Sequence, residues 1–334
     1  MFRVAINGFG RIGKMFLRAA LEQNALGKEF EVVAINSRSD INMHAHLFKY
    51  DSTFGKVNAN VSVKDGKLVV GNHTINWIQE KEPENLPWKD MNIDLVLEST
   101  GEFATKEFAE KHIKAGAKYV LVSAPCKGAP MTIVPGVNDS KMTKENKIYS
   151  LASCTTNCLA PVLNVINKKF GIERGFLITA HAYTNDQRII DSSHDDWRRA
   201  RAGAVNIVPT KTGAAMAIGE VIPELAGKMD GSAYRVPVPC GSINDMTLVL
   251  KKPVKADEIN TELKRASEHE LKGILAYTDE QLVSSDIVGN PHSAIVDSKL
   301  TKAMDNLVKV AAWYDNEWGY SNRLVDFVKK MGKM

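Results

Sequence analysis

The chain has 334 residues, 44% hydrophobic and 25% charged, with a net charge of +4. That length exceeds what one typical core organises and predicts two domains, while the mild charge suits anionic small molecules better than a dedicated nucleic-acid surface. No apolar stretch approaches the roughly 18 residues that span a bilayer, and the opening "MFRVAINGFGRIG" lacks the apolar run of a signal peptide. Cys126, Cys154, Cys158 and Cys240 are expected as free thiols in a reducing compartment, so the reading is cytoplasmic.

In chain order, "FRVAIN" (2–7) reads as a short apolar strand and "GFGRIG" as a glycine turn. "KMFLRAALEQ" (14–23) has helical spacing at Phe16, Leu17, Ala20 and Leu21, and "EVVAIN" (31–36) is the next strand, which completes a βαβ unit. "KLVV" (67–70), "IDLVLEST" (93–100) and "YVLVSAP" (119–125) are further strands, and the amphipathic "TKEFAEKHIKAG" (105–116) is a helix closed by Gly116. This alternation predicts an α/β fold with a Rossmann-like, doubly wound parallel sheet over residues 1–150. Beyond residue 150, "GFLITAHAY" (175–183), "SAYRVPVP" (232–239), "INDMTLVLKK" (243–252) and "LVKVAAWYD" (307–315) read as longer strands of a mixed or antiparallel sheet. With the helix "ADEINTELKRASEHE" (256–270), they define an α+β catalytic domain over 151–316. The amphipathic segment about 317–334, with Leu324, Val325, Phe327 and Val328 on one side, is expected to return to the first domain.

Gly8-x-Gly10-x-x-Gly13 sits between strand and helix, where Gly10 lets a pyrophosphate approach the backbone and the helix N-terminus faces its charge. About 20 residues on, an acid ordinarily holds the ribose 2′-hydroxyl. Here the strand ends in Asn36, Ser37, Arg38 and Ser39, and the first acid is Asp40, placed past the turn.

"SLASCTTNCLAPVLNVINKKF" (150–170) has Leu159, Val162, Leu163 and Ile166 on one helical face, with "SCTTN" at its start. Cys154 is thus expected at a helix N-terminus, where free N–H groups stabilise a thiolate, while Pro161 implies an early kink or a late true start. Cys158, one turn on, is expected to pack inward; no matching Cys or His pair completes a metal site with it, so no metal is expected. His181, at the end of an apolar strand, is the candidate base. For anions the candidates are the arginines of "WRRARAG" (197–203), the Thr210–Gly213 turn before a helix, and Arg235 within a strand.

From "ASCTTNCLAP" (152–161) onward the chain resembles the phosphorylating glyceraldehyde-3-phosphate dehydrogenases. The resemblance includes "INGFGRIG", "KYDSTFG", "ESTG", "HAYTNDQ", "RRARAG", "TGAA", "YRVPVP" and "WYDNEWGYS", and covers essentially the whole chain. It implies Cys154 as nucleophile and His181 as base in a thioester mechanism that ends in attack by inorganic phosphate. Ser153, Thr155, Thr184, Arg201, Thr212, Gly213 and Arg235 match positions that hold the two phosphates. Arg11 and Ile12 match the pyrophosphate turn, Ser123 the cofactor cleft, and Asn316 the residue that orients the nicotinamide amide. A homotetramer is implied as well, with an extended loop at about residues 182–205 near the cofactor sites.

Strictly NAD-using members carry Asp where this chain has Ser37, and Leu-Pro where it has Ser192-Ser193. Both departures favour NADP with NAD tolerated: Ser37 removes a charge that repels a 2′-phosphate, Arg38 adds a cation, and Ser192 and Ser193 add hydroxyl donors. Lys81 stands where Arg is common near the adenosine. The rival readings are an erythrose-4-phosphate dehydrogenase, an ordinary NAD-dependent glycolytic enzyme, a semialdehyde dehydrogenase, and a cofactor-sensing or RNA-binding protein on the same scaffold. The last would be marked by loss of Cys154 or His181.

Overall fold

A computed structural model describes all 334 residues, which form two compact units. One comprises residues 1–133, 140–152 and 321–334, the other 134–139 and 153–320.

The first unit is built on a nine-stranded sheet. Seven strands are parallel, in the order Met131–Thr132, Ile148–Ser150, Tyr119–Val122, Leu95–Glu98, Phe2–Asn7, Phe30–Asn36 and His73–Ile78. The order reverses at Phe2–Asn7, the switch point at which doubly wound sheets bind ligands. The segment read as one strand, "KLVV", is the middle of an antiparallel meander, Val61–Lys64, Lys67–Val70 and His73–Ile78. Its first turn is Asp65-Gly66, both at positive φ (50° and 70°), as the twist of a two-residue hairpin requires.

Helix α1 (Arg11–Glu22) starts three residues earlier than its apolar spacing suggested, because Gly10 is its N-cap. α2 (Ile41–Lys49) is capped by Asp40, whose carboxylate accepts from the Met43 amide at 2.9 Å. α3 (Lys106–Lys114) is capped by Thr105. The core joins Val4, Ile6, Phe16, Phe30 and Leu97, all fully buried, with the Phe16 and Phe30 rings stacked 5.9 Å apart. Residues 321–334 complete this unit. The Phe327 ring meets Tyr149 edge-on at 5.2 Å, Gln23 donates to Asn322 at 2.8 Å, and Lys333 pairs with Glu29 at 3.0 Å.

The second unit holds an eight-stranded mixed sheet. Ile172–Ala182 lies between Met229–Val236, to which it is parallel, and Ser242–Leu250, to which it is antiparallel. Leu307–Tyr314 follows beyond Ser242–Leu250. α4 (Cys154–Phe170) packs on this sheet and beside α5 (Ala214–Val221) and α6 (Ala256–Glu268). Pro161 lies inside α4 without delaying its start. The proline costs about 3 kcal/mol, but Leu159, Val162, Leu163 and Ile166 are all fully buried and contribute about 1.5–3 kcal/mol each, so packing outweighs propensity. The last helix, α7 (Trp318–Gly332), begins at the end of this unit and supplies most of residues 321–334 of the other.

Candidate active site

Ser153 caps α4, its hydroxyl accepting from the Thr156 amide at 3.1 Å, and this fixes Cys154 in the first turn. Strand Ile172–Ala182 delivers His181, buried, with Nε2 3.4 Å from the Cys154 sulfur. Nδ1 of His181 lies 2.6 Å from the Ala182 carbonyl oxygen and 2.9 Å from Nη1 of Arg235, which itself reaches that oxygen at 3.1 Å. Two lone pairs facing at 2.6 Å would repel, so Nδ1 carries the proton and donates to Ala182, and Nε2 keeps its lone pair toward sulfur. Burial, then the Arg235 cation, lowers the His181 pKa to about 3, so the free imidazole is neutral.

Cys154 is half-buried, and the expected thiolate meets opposing effects here. Burial pushes the Cys154 thiol above its ordinary range, and the opposing pull of Arg235, the Thr155 hydroxyl and the helix N–H groups is smaller. Nε2 of His181, 3.4 Å from the sulfur, is placed to take the thiol proton, which makes the two a general-base pair.

Arg235 is opposite His181 in the parallel ladder, and its Nε is buried without a hydrogen-bond partner. Burial lowers its pKa, which an anion at the site would reverse. Tyr314 braces the far side. Its hydroxyl bridges Thr155 at 3.0 Å and Thr179 at 2.9 Å, and its ring meets His181 edge-on at 6.0 Å.

Ser153, Thr155 and Arg235 therefore gather around Cys154 and His181. Thr184 instead bonds Gln187 at 3.2 Å, and Thr212 and Gly213 form the start of α5, with the Thr212 hydroxyl accepting from Ala214 at 3.2 Å. Arg201 is not brought in: it is exposed and paired with Asp191 at 2.8 Å. The arginine of that run that does turn inward is Arg199, one of the anion candidates, though the resemblance matched Arg201 to the phosphate position. It donates to Thr210 at 2.7 Å and Asp186 at 2.6 Å, and its charge acts on both His181 and Arg235. Three arginines in an irregular loop carry no periodicity that would single it out.

Asn316 is held by its carbonyl oxygen, which accepts from the Gly241 amide at 3.2 Å and the Ser242 hydroxyl at 2.9 Å. An amide so held keeps its Nδ2 as a donor. Cys240 donates to Asp315 at 3.0 Å and Cys158 to the Ala312 carbonyl at 3.7 Å; burial raises both thiols. Burial also pushes Cys126 up to about 11. All four cysteines are free.

In the first unit the glycine turn fits a dinucleotide. Gly8 sits at φ +94° against Thr100, and a Cβ on Gly13 would lie 2.3 Å from the Gly8 carbonyl oxygen. A Cβ on Gly10 would meet nothing, so the space above it is open. The Gly10 cap of α1 has no side chain, and a helix N-terminus of this kind suits an anion. The Arg11 side chain turns to the buried carboxylate of Asp51. Ser123, half-buried, directly follows the strand Tyr119–Val122, Lys81 is exposed, and Ser192 and Ser193 are exposed on the extended loop. Arg38 pairs with Glu102 at 2.6 Å, both more than half exposed. Ser37 lies 3.0 Å from His44 Nε2.

Two family models match the chain: the glyceraldehyde 3-phosphate dehydrogenase NAD binding domain over residues 2–106 and the C-terminal domain over residues 153–316. Glyceraldehyde-3-phosphate dehydrogenase of Mycobacterium avium is 54% identical over 334 residues, covering 99% of this chain and 98% of that protein. The enzymes of Mycolicibacterium smegmatis and Streptomyces coelicolor are 52% and 51% identical, each with the same two coverages. With the thiol, imidazole and glycine turn in place, the chain belongs to the glyceraldehyde-3-phosphate dehydrogenase family.

Proposed function

We propose that the protein catalyses the reversible phosphorylating oxidation of glyceraldehyde 3-phosphate to 1,3-bisphosphoglycerate through a thioester on Cys154, with NADP preferred and NAD tolerated. The observation that carries the chemistry is the 3.4 Å approach of Cys154 Sγ to His181 Nε2, beside the buried, unpaired Nε of Arg235. A bound nicotinamide ring supplies the hydride acceptor. Sγ attacks the aldehyde carbon while its proton passes to Nε2, and that proton moves on to the carbonyl oxygen to give a thiohemiacetal. Nε2 takes the hydroxyl proton back as the carbon is oxidised. The thioester keeps the carbon activated until an oxygen of inorganic phosphate attacks it and Sγ leaves.

Ser153, Thr155, Thr184, Thr212, Gly213 and Arg235 are assigned to the two phosphates, with Arg199 in place of Arg201. Asn316 Nδ2 is assigned to the nicotinamide amide. Preference for NADP is supported by Ser37 in place of an acid and by Asp40 being committed to capping α2. The observation on the side of NAD is the Arg38–Glu102 pair, although an exposed pair is worth only about 0–1 kcal/mol and yields to a phosphate. Assembly as a homotetramer is supported by Ile189, Ile190, Trp197, Val205 and Ile207, apolar and more than half exposed around the extended loop. The four free thiols suit a cytoplasmic enzyme.

The test is initial rates with glyceraldehyde 3-phosphate and inorganic phosphate, with NADP and NAD titrated in parallel and erythrose 4-phosphate as competing substrate. A higher kcat/KM for NADP and for the triose supports the proposal. A clear NAD preference returns the ordinary glycolytic reading, and an undiminished rate in Cys154→Ser removes the thioester.

A further inference from the structure

Behind Ser37 lies a chain of buried polar groups that the reaction does not use. The Lys14 ammonium, on α1, is buried; it donates to the Phe9 carbonyl at 2.5 Å and lies 3.0 Å from Nδ1 of His44, on α2. Nε2 of the same imidazole lies 3.0 Å from the Ser37 hydroxyl. His44 is also buried, its ring against Phe9 at 5.9 Å and Trp77 at 5.3 Å.

Proton inventory fixes the direction of this chain. An ammonium has three donors and no acceptor, so Nδ1 of His44 accepts from Lys14. A neutral imidazole with Nδ1 accepting carries its proton on Nε2, so Nε2 donates to the Ser37 oxygen. With its oxygen engaged as acceptor, the Ser37 hydroxyl has its own proton free to donate outward. Two titration shifts agree with this assignment. Burial, then the Lys14 charge, lowers His44 to about 4, and burial, then Arg11, lowers Lys14 to about 8, so near pH 7 the first is neutral and the second charged. The nearby carboxylates are already committed, Asp51 to Arg11 and Asp40 to the cap of α2.

We propose that Lys14 and His44 are positioning residues for cofactor choice: they lock Ser37 as an outward donor, with a buried cation one imidazole behind it, and so select an acceptor-only, negatively charged 2′-phosphate over a 2′-hydroxyl. The inference rests on the NADP reading above and gives that reading a physical cause within this chain. A 2′-hydroxyl can still accept from Ser37, which leaves NAD tolerated.

The test separates the relay from the reading on which it rests. Binding of adenosine 2′,5′-bisphosphate and adenosine 5′-monophosphate is measured by calorimetry on the full chain and on Ser37→Ala, His44→Leu and His44→Gln. The wild type is expected to bind the 2′-phosphorylated ligand more tightly. His44→Leu is expected to lose about tenfold or more on that ligand and little on the other. His44→Gln, whose amide accepts from Lys14 and donates to Ser37, should retain most of the preference. Nitrogen NMR of the wild type should find His44 neutral with its proton on Nε2. If the wild type has no 2′-phosphate preference, the cofactor reading fails whatever His44 does. A wild-type preference that survives His44→Leu, or a proton found on Nδ1, overturns the relay and leaves the cofactor reading standing. Should His44→Leu fail to fold, His44→Gln and the tautomer decide.

Discussion

Replacing Arg235 with glutamine removes the one half-buried cation that touches His181 while keeping a planar amide in its strand. Its Nε is buried without a partner and its Nη1 reaches Nδ1 of His181 and the Ala182 carbonyl at 2.9 and 3.1 Å, so the guanidinium has capacity left for an anion. A hydrogen bond to a charged group contributes about 1.5–3 kcal/mol, which at about 1.4 kcal/mol per tenfold is a factor of roughly 10 to 150. Arg235 also lowers the His181 pKa, and that effect falls on every substrate alike. The assay therefore compares kcat/KM for glyceraldehyde 3-phosphate with that for unphosphorylated glyceraldehyde, in wild type and Arg235→Gln, at saturating cofactor. The phosphorylated substrate should lose roughly 10- to 150-fold more than the other. If instead the KM for inorganic phosphate rises, Arg235 serves the attacking phosphate. An equal loss on both aldehydes with an unchanged phosphate KM would refute its role as an anion ligand.

Arg199→Ala is expected to lower kcat/KM about tenfold or more, whereas Arg201→Ala, which breaks only an exposed pair, should stay within a few-fold; the reverse order would restore Arg201 to the site. Gly13→Ala forces a Cβ to within 2.3 Å of the Gly8 oxygen and should lower stability by about 1–3 kcal/mol. Gly10→Ala, with open space, should leave the melting temperature in place and weaken dinucleotide binding; equal melting temperatures for the two variants would contradict this packing. His44 is held neutral with its pKa lowered to about 4 by burial and Lys14, against about 6.5 when unfolded. As pH falls from 6.5 toward 4 the unfolded chain binds a proton that the native chain refuses, so stability drops by up to about 3 kcal/mol from this residue. Denaturant midpoints for His44→Leu should depend less steeply on pH in that window. His181, lowered to about 3, adds in the same direction and remains in the variant.

What could be read in advance followed periodicity and local chemistry. The apolar face of α4 is written in Leu159, Val162, Leu163 and Ile166, and Ser153 before it is an ordinary cap, so Cys154 was placed at the helix start from sequence. The Asp65-Gly66 turn was equally readable, yet the strands on either side are short and only "KLVV" stood out. Two features were out of reach. Arg199 is chosen over its neighbours by Thr210 and Asp186, residues brought near by the loop's path rather than by any repeat. The thiol's environment depends on burial as well as on helix position, and burial acts against the charge that Arg235, Thr155 and the helix N–H groups favour.

The first unit is stitched from segments that lie on both sides of the other in sequence: its sheet is finished by residue 150, but Phe327, Asn322 and Lys333 close its surface only after residues 153–320. During synthesis, at about 5–20 residues per second, the nucleotide-binding half must wait on the order of ten seconds or more for its last helix. The half that carries Cys154 and His181 has its strands later, by Tyr314, but is complete by residue 320. The half begun first is thereby the last to be completed, and a chain ending near residue 320 would hold the chemistry of the site but an unfinished seat for its cofactor.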